Sequence, residues 1–367
     1  MPDREETGMR TEIRTLASMA IAALLSVATT LQAQEMPVPA DEAALYEMAK
    51  SEGSLVWYSG GALDTTKAMA TAFQKKYPGI KVEVMRLPGA SQYQRFMEEV
   101  AAGHDIADIL WLSDHPSMVA LVDDGMVAEW KIPTYDRFDP RYLMGQSAYA
   151  FNRVDSVIIY NENLVSEEEA ALLRADWRNV LDPRFASRFA VTSAKCGACY
   201  APISLFLDPA QTKTYPEDFL EQVGAQKPAV YGDFIAMVDR VVAGEKDFAY
   251  WSFESIAATR RAQGAPVRWV YPQPTPAFPS TWMAISATAP HPAAARLFLN
   301  WMGSEDGALS LQRDYYSKPT LQGVEDSRSF VSEDWYEPPA ELYEVDFENW
   351  PERYETDMAR WVKAIQQ

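Results

Sequence analysis

Cys196 and Cys199, in Lys195-Cys-Gly-Ala-Cys-Tyr200, are the only cysteines of this chain, and their spacing admits several uses. A zinc site needs four ligands, and no matching Cys or His pair lies nearby. A thioredoxin-type redox centre needs a βαβ context that the flanking residues do not supply. In an oxidising compartment a local disulfide is the simplest use of the pair, with free thiols and redox chemistry as the alternatives. His104, His115 and His291 do not cluster, and His291, followed by Pro292, reads as part of a helix start. Nucleophilic catalysis needs a Ser or Cys beside a base, yet no Gly-x-Ser-x-Gly occurs. The phosphate-cradling patterns Gly-x-x-x-x-Gly-Lys-Ser/Thr and Gly-x-Gly-x-x-Gly are absent too. The residues therefore favour binding over turnover, with no enzyme, cofactor or resident metal implied. A carboxylate-based periplasmic enzyme and a ligand-presenting sensor subunit are the rival classes.

A binding function places demands on the elements that hold its side chains. Residues 54–58 form a short apolar strand, and 63–77 carry Leu63, Met69, Ala70, Phe73 and Tyr77 on one helical face. Residues 80–85 alternate as a half-buried strand. Tyr93, Phe96, Met97, Val100 and Ala101 follow at helical spacing, and 106–112 is a buried strand. This βαβαβ run predicts a parallel sheet with helices on its faces. A second unit follows, with strands at 157–160, 188–192, 247–251 and 267–271 and a helical stripe of Phe234, Met237, Val238, Val241 and Val242. Residues 272–276, Pro-Gln-Pro-Thr-Pro, read as a crossing segment unsuited to a central strand or a helix. In such sheets ligands sit at the carboxyl ends of strands, facing helix N-termini. That rule selects Ser59, Gly60 and Gly61 after the first strand and Ser113 and Asp114 after the third. In the second unit it selects Ser193 and Tyr200, Tyr250 and Trp251, and Tyr271 at the crossing. For each, a cap, turn or core role is the competing account.

The N-terminus predicts export. Arg4, Arg10 and Arg14 precede an uncharged stretch, apolar across residues 19–27, that ends in Leu31-Gln32-Ala33. This is the pattern of a cleavable signal peptide over residues 1–33, and it reads more cleanly from Met9. Its apolar centre is shorter than the about 20 residues needed to span a bilayer. No Cys follows it for lipid attachment, so a free periplasmic protein is expected. A net charge of −19 argues against nucleic acid as a partner.

Several segments in order resemble the iron(III)-type branch of the ABC-transporter periplasmic solute-binding proteins, the family 1 extracellular type. They include Leu55-Val56-Trp57-Tyr58-Ser59-Gly60, Phe73-Gln74-Lys75-Lys76-Tyr77-Pro78-Gly79-Ile80, Ala107-Asp108-Ile109-Leu110-Trp111, Leu181-Asp182-Pro183 and Ala289-Pro290-His291-Pro292. The resemblance covers residues 54–320. It implies an α/β two-lobe type II periplasmic-binding-protein fold, each lobe a mainly parallel sheet flanked by helices, with a ligand cleft between them. Lobe 1 would comprise 34–150 and 272–320, lobe 2 would comprise 151–271, and 321–367 would be a helical tail packed on one lobe. The family implies a monomer that captures a small-molecule ligand by hinge closure and hands it to ABC transporter membrane permease subunits. Ferric-binding members use an adjacent Tyr pair late in the second lobe, often with a His near the first strand. Here the matching position reads Ala249-Tyr250-Trp251-Ser252, Tyr315-Tyr316 falls later, and the first-strand loop has no His. An organic ligand is favoured, either an anion held by seryl hydroxyls and helix N-termini or a ring or cationic amine stacked on Tyr200, Tyr250 and Trp251, with ferric iron as the alternative.

Overall fold

The computed structural model describes residues 41–87, 90–193, 197–346 and 350–366. The expected signal peptide, residues 1–33, lies outside them, as does Cys196. In chain order α1 (Glu42–Glu52), β1 (Ser54–Ser59), α2 (Leu63–Lys76), β2 (Lys81–Arg86), α3 (Ala90–Ala101), β3 (Ile109–Leu112) and α4 (His115–Asp123) alternate as the periodicity predicts. Then come β4 (Val127–Ala128), β5 (Leu143–Met144), β6 (Ala148–Tyr149) and the long β7 (Asn152–Asn161). The next stretch holds α5 (Glu167–Ala175), β8 (Phe189–Thr192), α6 (Gly197–Phe206), α7 (Phe219–Ala225) and β9 (Ala229–Tyr231). It continues with α8 (Phe234–Val242), β10 (Phe248–Phe253), α9 (Glu254–Ala262) and β11 (Val267–Val270). The chain returns through β12 (Thr275–Pro279), β13 (Trp282–Ser286), α10 (Pro292–Met302), α11 (Glu305–Tyr315) and β14 (Lys318–Pro319). A tail adds β15 (Leu342–Glu344) and α12 (Trp350–Ile365).

Two sheets result. The first runs β2-β1-β3-β13-β6-β5, with β4 on β13; the second runs β15-β12-β7-β10-β8-β9, with β11 and β14 on β7. Both are mixed rather than mainly parallel. β1 is parallel to β2 and β3, and β8 is parallel to β9 and β10, as βα alternation requires. The strands that cross between lobes enter from the opposite direction: β13 is antiparallel to β3, and β7 to β10, β11, β12 and β14. The proline-rich crossing also becomes a strand from Thr275 onward. Pro276 pairs only with the tail strand, and the ladder to β7 begins at Ala277, so its missing N–H interrupts no bond to β7.

Each lobe has its own apolar interior. In the first, Trp57, Phe73, Phe298 and Trp301 meet at centroid distances of 5.0–5.7 Å. In the second, Phe189, Phe206, Phe248 and Tyr250 are buried together. Helix starts are fixed by side chains. Ser166 and Glu169 form a reciprocal capping box on α5, and the Glu52 carboxylate accepts from the N–H groups of Ala293 and Ala294 in the first turn of α10. His291 is the N-cap residue of that helix, and its ring lies 2.9 Å from the buried Asp108 carboxylate.

At the hinge the crossings meet on Asn152. Its amide donates to Ser317 Oγ, its side-chain oxygen accepts from Thr281 Oγ1, both at 2.9 Å, and its carbonyl accepts from Ser280 N–H. One buried asparagine therefore knits β7, the β12–β13 turn and the approach to β14.

Candidate ligand cleft

The predicted site residues lie along or just after strands of the two sheets, apart from Tyr200 on α6. On the first-lobe side, Ser59 is fully buried at the end of β1; its Oγ accepts from Gly61 N–H at 3.1 Å and lies 3.2 Å from Thr66 Oγ1. Gly60 N–H donates to Trp111 O at 3.2 Å. A Cβ on Gly61 would sit 2.9 Å from Thr66 Oγ1 and 3.2 Å from the Tyr315 ring, so this loop requires glycine on steric grounds. The Gly61 N–H is used within the loop and the Gly60 N–H on β3. The groups left over are neighbours. Gln92 donates to Tyr58 O, while its buried side-chain oxygen has no hydrogen-bond partner, nor has the indole N–H of Trp111. The exposed Arg86 ends β2 and donates its Nε–H to Gly61 O at 3.1 Å. The strand-end rule selects Arg86 as readily as Ser59, since the two are paired at the ends of the parallel strands β1 and β2.

Asp114 caps α4, accepting from Ser117 N–H and from the Ser117 hydroxyl. Ser113 precedes it, half-buried. His115 stacks at a tilt 5.2 Å from Trp282, and burial pushes its imidazole down to about 4 against the opposing pull of Asp114.

On the second-lobe side the predicted residues divide. Ser193 directs both its N–H and its hydroxyl to Tyr231 O, at 2.9 and 3.3 Å, and so extends the β8–β9 pairing. Tyr250 is a core residue: its hydroxyl donates to Trp177 O at 3.0 Å, and burial raises its pKa. Strand alternation alone would send its neighbour to the opposite face, but β10 shifts register against β7 between Ala249 and Ser252. Trp251 adopts φ +55° within that bulge, a left-handed conformation that bulky residues rarely take. Tyr271 is buried away from the glycine loop, accepting from Trp269 Nε1 at 3.2 Å and facing Tyr336. Cys199 is disulfide-bonded and buried at the start of α6.

Tyr200 and Trp251 share a contact that the strand-end rule did not anticipate. Tyr200 donates its hydroxyl to Asp357 at 2.8 Å and packs its ring 4.6 Å from Trp350. Trp251 lies 4.4 Å from Trp361, whose indole N–H donates to Thr192 O at 2.8 Å. Asp357, Trp350 and Trp361 all belong to α12.

Beneath the cleft runs a buried ionic group. Asp155 is held by Arg153 at 3.0 Å and Lys318 at 3.3 Å, and Arg328 pairs with Glu254 and Asp326 at 2.6 Å each. Three cations face three carboxylates, so the group presents no net charge to a ligand. Among the described residues no set of three or more His, Cys, Asp or Glu is arranged to hold a metal ion. The adjacent tyrosines diverge: Tyr315 packs on Trp111 at 5.4 Å, and the Tyr316 carbonyl accepts from Arg328.

Comparison with known proteins agrees with this architecture. Residues 59–309 match the model of the bacterial extracellular solute-binding protein family. Iron-bound HitA from Pseudomonas aeruginosa superposes with a TM-score of 0.64 at 20% identity, covering 85% of this chain and 97% of that one. AfuA from Actinobacillus pleuropneumoniae, bound to fructose-6-phosphate, gives 0.65 at 18% identity, covering 86% and 99%. The substrate-binding protein of an ABC transporter from Agrobacterium tumefaciens gives 0.67 at 20% identity, covering 85% and 94%. No curated protein sequence matches. With a family match over more than half its length, the chain belongs to the bacterial extracellular solute-binding proteins.

Proposed function

We propose that this protein is the periplasmic substrate-binding subunit of an ABC importer, enclosing a small organic anion between its lobes and delivering it to membrane permease subunits. The observation that carries the anionic reading is the start of α2. Its N-cap residue Ala62 makes no side-chain cap, so the first-turn N–H groups carry the positive end of the helix dipole uncapped. The Arg86 guanidinium is tethered one residue before Ala62. Uncapped amides beside an arginine suit a phosphate, phosphonate, sulfonate or carboxylate. Hinge closure about the Asn152 crossing would supply enclosure. Catalysis is not part of this reading, because the family that the chain matches is one of solute-binding proteins.

Native mass spectrometry and elemental analysis of protein purified from its own periplasm test it. A stoichiometric organic anion released on unfolding is the expected result. Stoichiometric iron without such an anion would overturn the ligand class and favour the ferric alternative. Calorimetric titration with fructose 6-phosphate and with ferric citrate then separates the two chemistries directly.

A further inference from the structure

The tail passes the hinge and ends in the second-lobe core, with a ring contact to the first lobe. It leaves α11 where Gln312 holds Glu325 O and Ser327, then crosses the second lobe, where Phe330 and Trp335 pack 4.7 Å from Trp269. Through β15 it joins the hinge strand β12, and Glu344 pairs with Arg141 of the first lobe. Helix α12 then presents Trp350, Met358, Trp361, Ala364 and Ile365 as one buried stripe at helical spacing. That stripe meets the second lobe at Tyr200, Thr192 and Trp251. Its N-terminal end meets the first lobe and the hinge: the Trp350 ring lies 6.4 Å from His115 and 5.5 Å from Phe278. The Tyr354 hydroxyl is raised to about 12 by burial, with Glu355 and Asp114 adding to it.

From these contacts we propose that α12, seated in the second-lobe core, latches the two lobes together without solute through Trp350 against His115, and that this contact has to part before the lobes open to admit a solute. A helix serving only as second-lobe packing would have no reason to place an aromatic ring between His115 and Tyr200. The inference rests on the cleft being the solute site, but the test below uses no solute. Failure of the cleft to bind any solute would therefore be distinguishable from failure of this proposal.

The full-length protein and its Trp350→Ala/Trp361→Ala variant are compared by hydrogen exchange and small-angle scattering, with thermal unfolding as the check on folding. The expected result is several-fold faster exchange over residues 113–118 of the first lobe, together with a larger radius of gyration. Faster exchange confined to the second-lobe segments around Thr192 and Gly224, at an unchanged radius, would overturn the proposal. If the double variant does not fold, Trp350→Ala alone, which keeps Trp361 in the second-lobe core, is measured in the same way, and unchanged exchange over residues 113–118 overturns the proposal.

Discussion

Arg328 and Glu254 form a 2.6 Å ion pair in which the arginine side chain is wholly buried and the glutamate keeps 4% of its surface exposed. Burial alone would lower the arginine pKa, and Glu254 and Asp326 reverse that, so the guanidinium stays charged. The same burial raises the Glu254 carboxyl, opposed by Arg328 and Lys318. Arg328→Met strands the carboxylate in the interior, and we expect a loss of about 3–5 kcal/mol in chemical denaturation. Arg328→Met/Glu254→Leu should recover most of that loss. A single variant as stable as the parent would mean that the pair is not desolvated in solution.

His115 predicts an acid-sensitive fold. Unfolded, an imidazole protonates near pH 6.5; folded, this one resists until about 4. Between those values the unfolded chain binds the additional proton, so stability is full above about pH 6.5 and falls as pH drops through the window. We expect about 2 kcal/mol of loss between pH 7 and 4.5 from this group. His115→Gln should flatten the profile by that amount, and an unchanged slope would assign the acid sensitivity elsewhere.

Gly224 on α7 is the seat of the last turn of α12. A Cβ there would come 2.0 Å from Ala364 O, a backbone atom that cannot swing aside. Gly224→Ala should therefore destabilise by about 1–3 kcal/mol and expose α12 to limited proteolysis while both lobes remain resistant. Cleavage at the wild-type rate would show that the helix end accommodates the methyl group.

Arg86→Ala tests the anion reading at a residue outside both cores. For the solute recovered by native mass spectrometry, we expect affinity to fall about 10–100-fold and stability to move by no more than about 0.5 kcal/mol. Unchanged affinity would place the charge-recognising group elsewhere.

The first lobe was readable because its elements carry their own periods. The helix expected at 63–77 is α2, Leu63–Lys76, and the strand at 54–58 is β1, Ser54–Ser59. Glycine at position 61 and the Asp114 cap were likewise visible as residue types at strand ends. Three features were not. The direction of β7 depends on where the chain crosses, which no local pattern records. Tyr250 and Trp251 looked equivalent as aromatics ending a strand; both lie in the second-lobe core, and only the register shift against β7 gives Trp251 its left-handed backbone and its contact with Trp361 of the tail. The aromatic spacing of the tail announced a packed helix, but its seat is built from residues as distant as His115 and Phe278, so its contact with both lobes lay beyond any window of sequence.

The pairing of β15 on β12 has a consequence for molecules that are still folding. Without β15, β12 would be the outer strand of its sheet, a row of free backbone groups of the kind to which a strand from another copy adds. β15 follows every other strand of both lobes in chain order. Both lobes can therefore be assembled while that margin is bare. In this interval β15 competes with neighbouring chains for the same edge. Pairing of β15 within its own chain closes that edge to a strand from another copy.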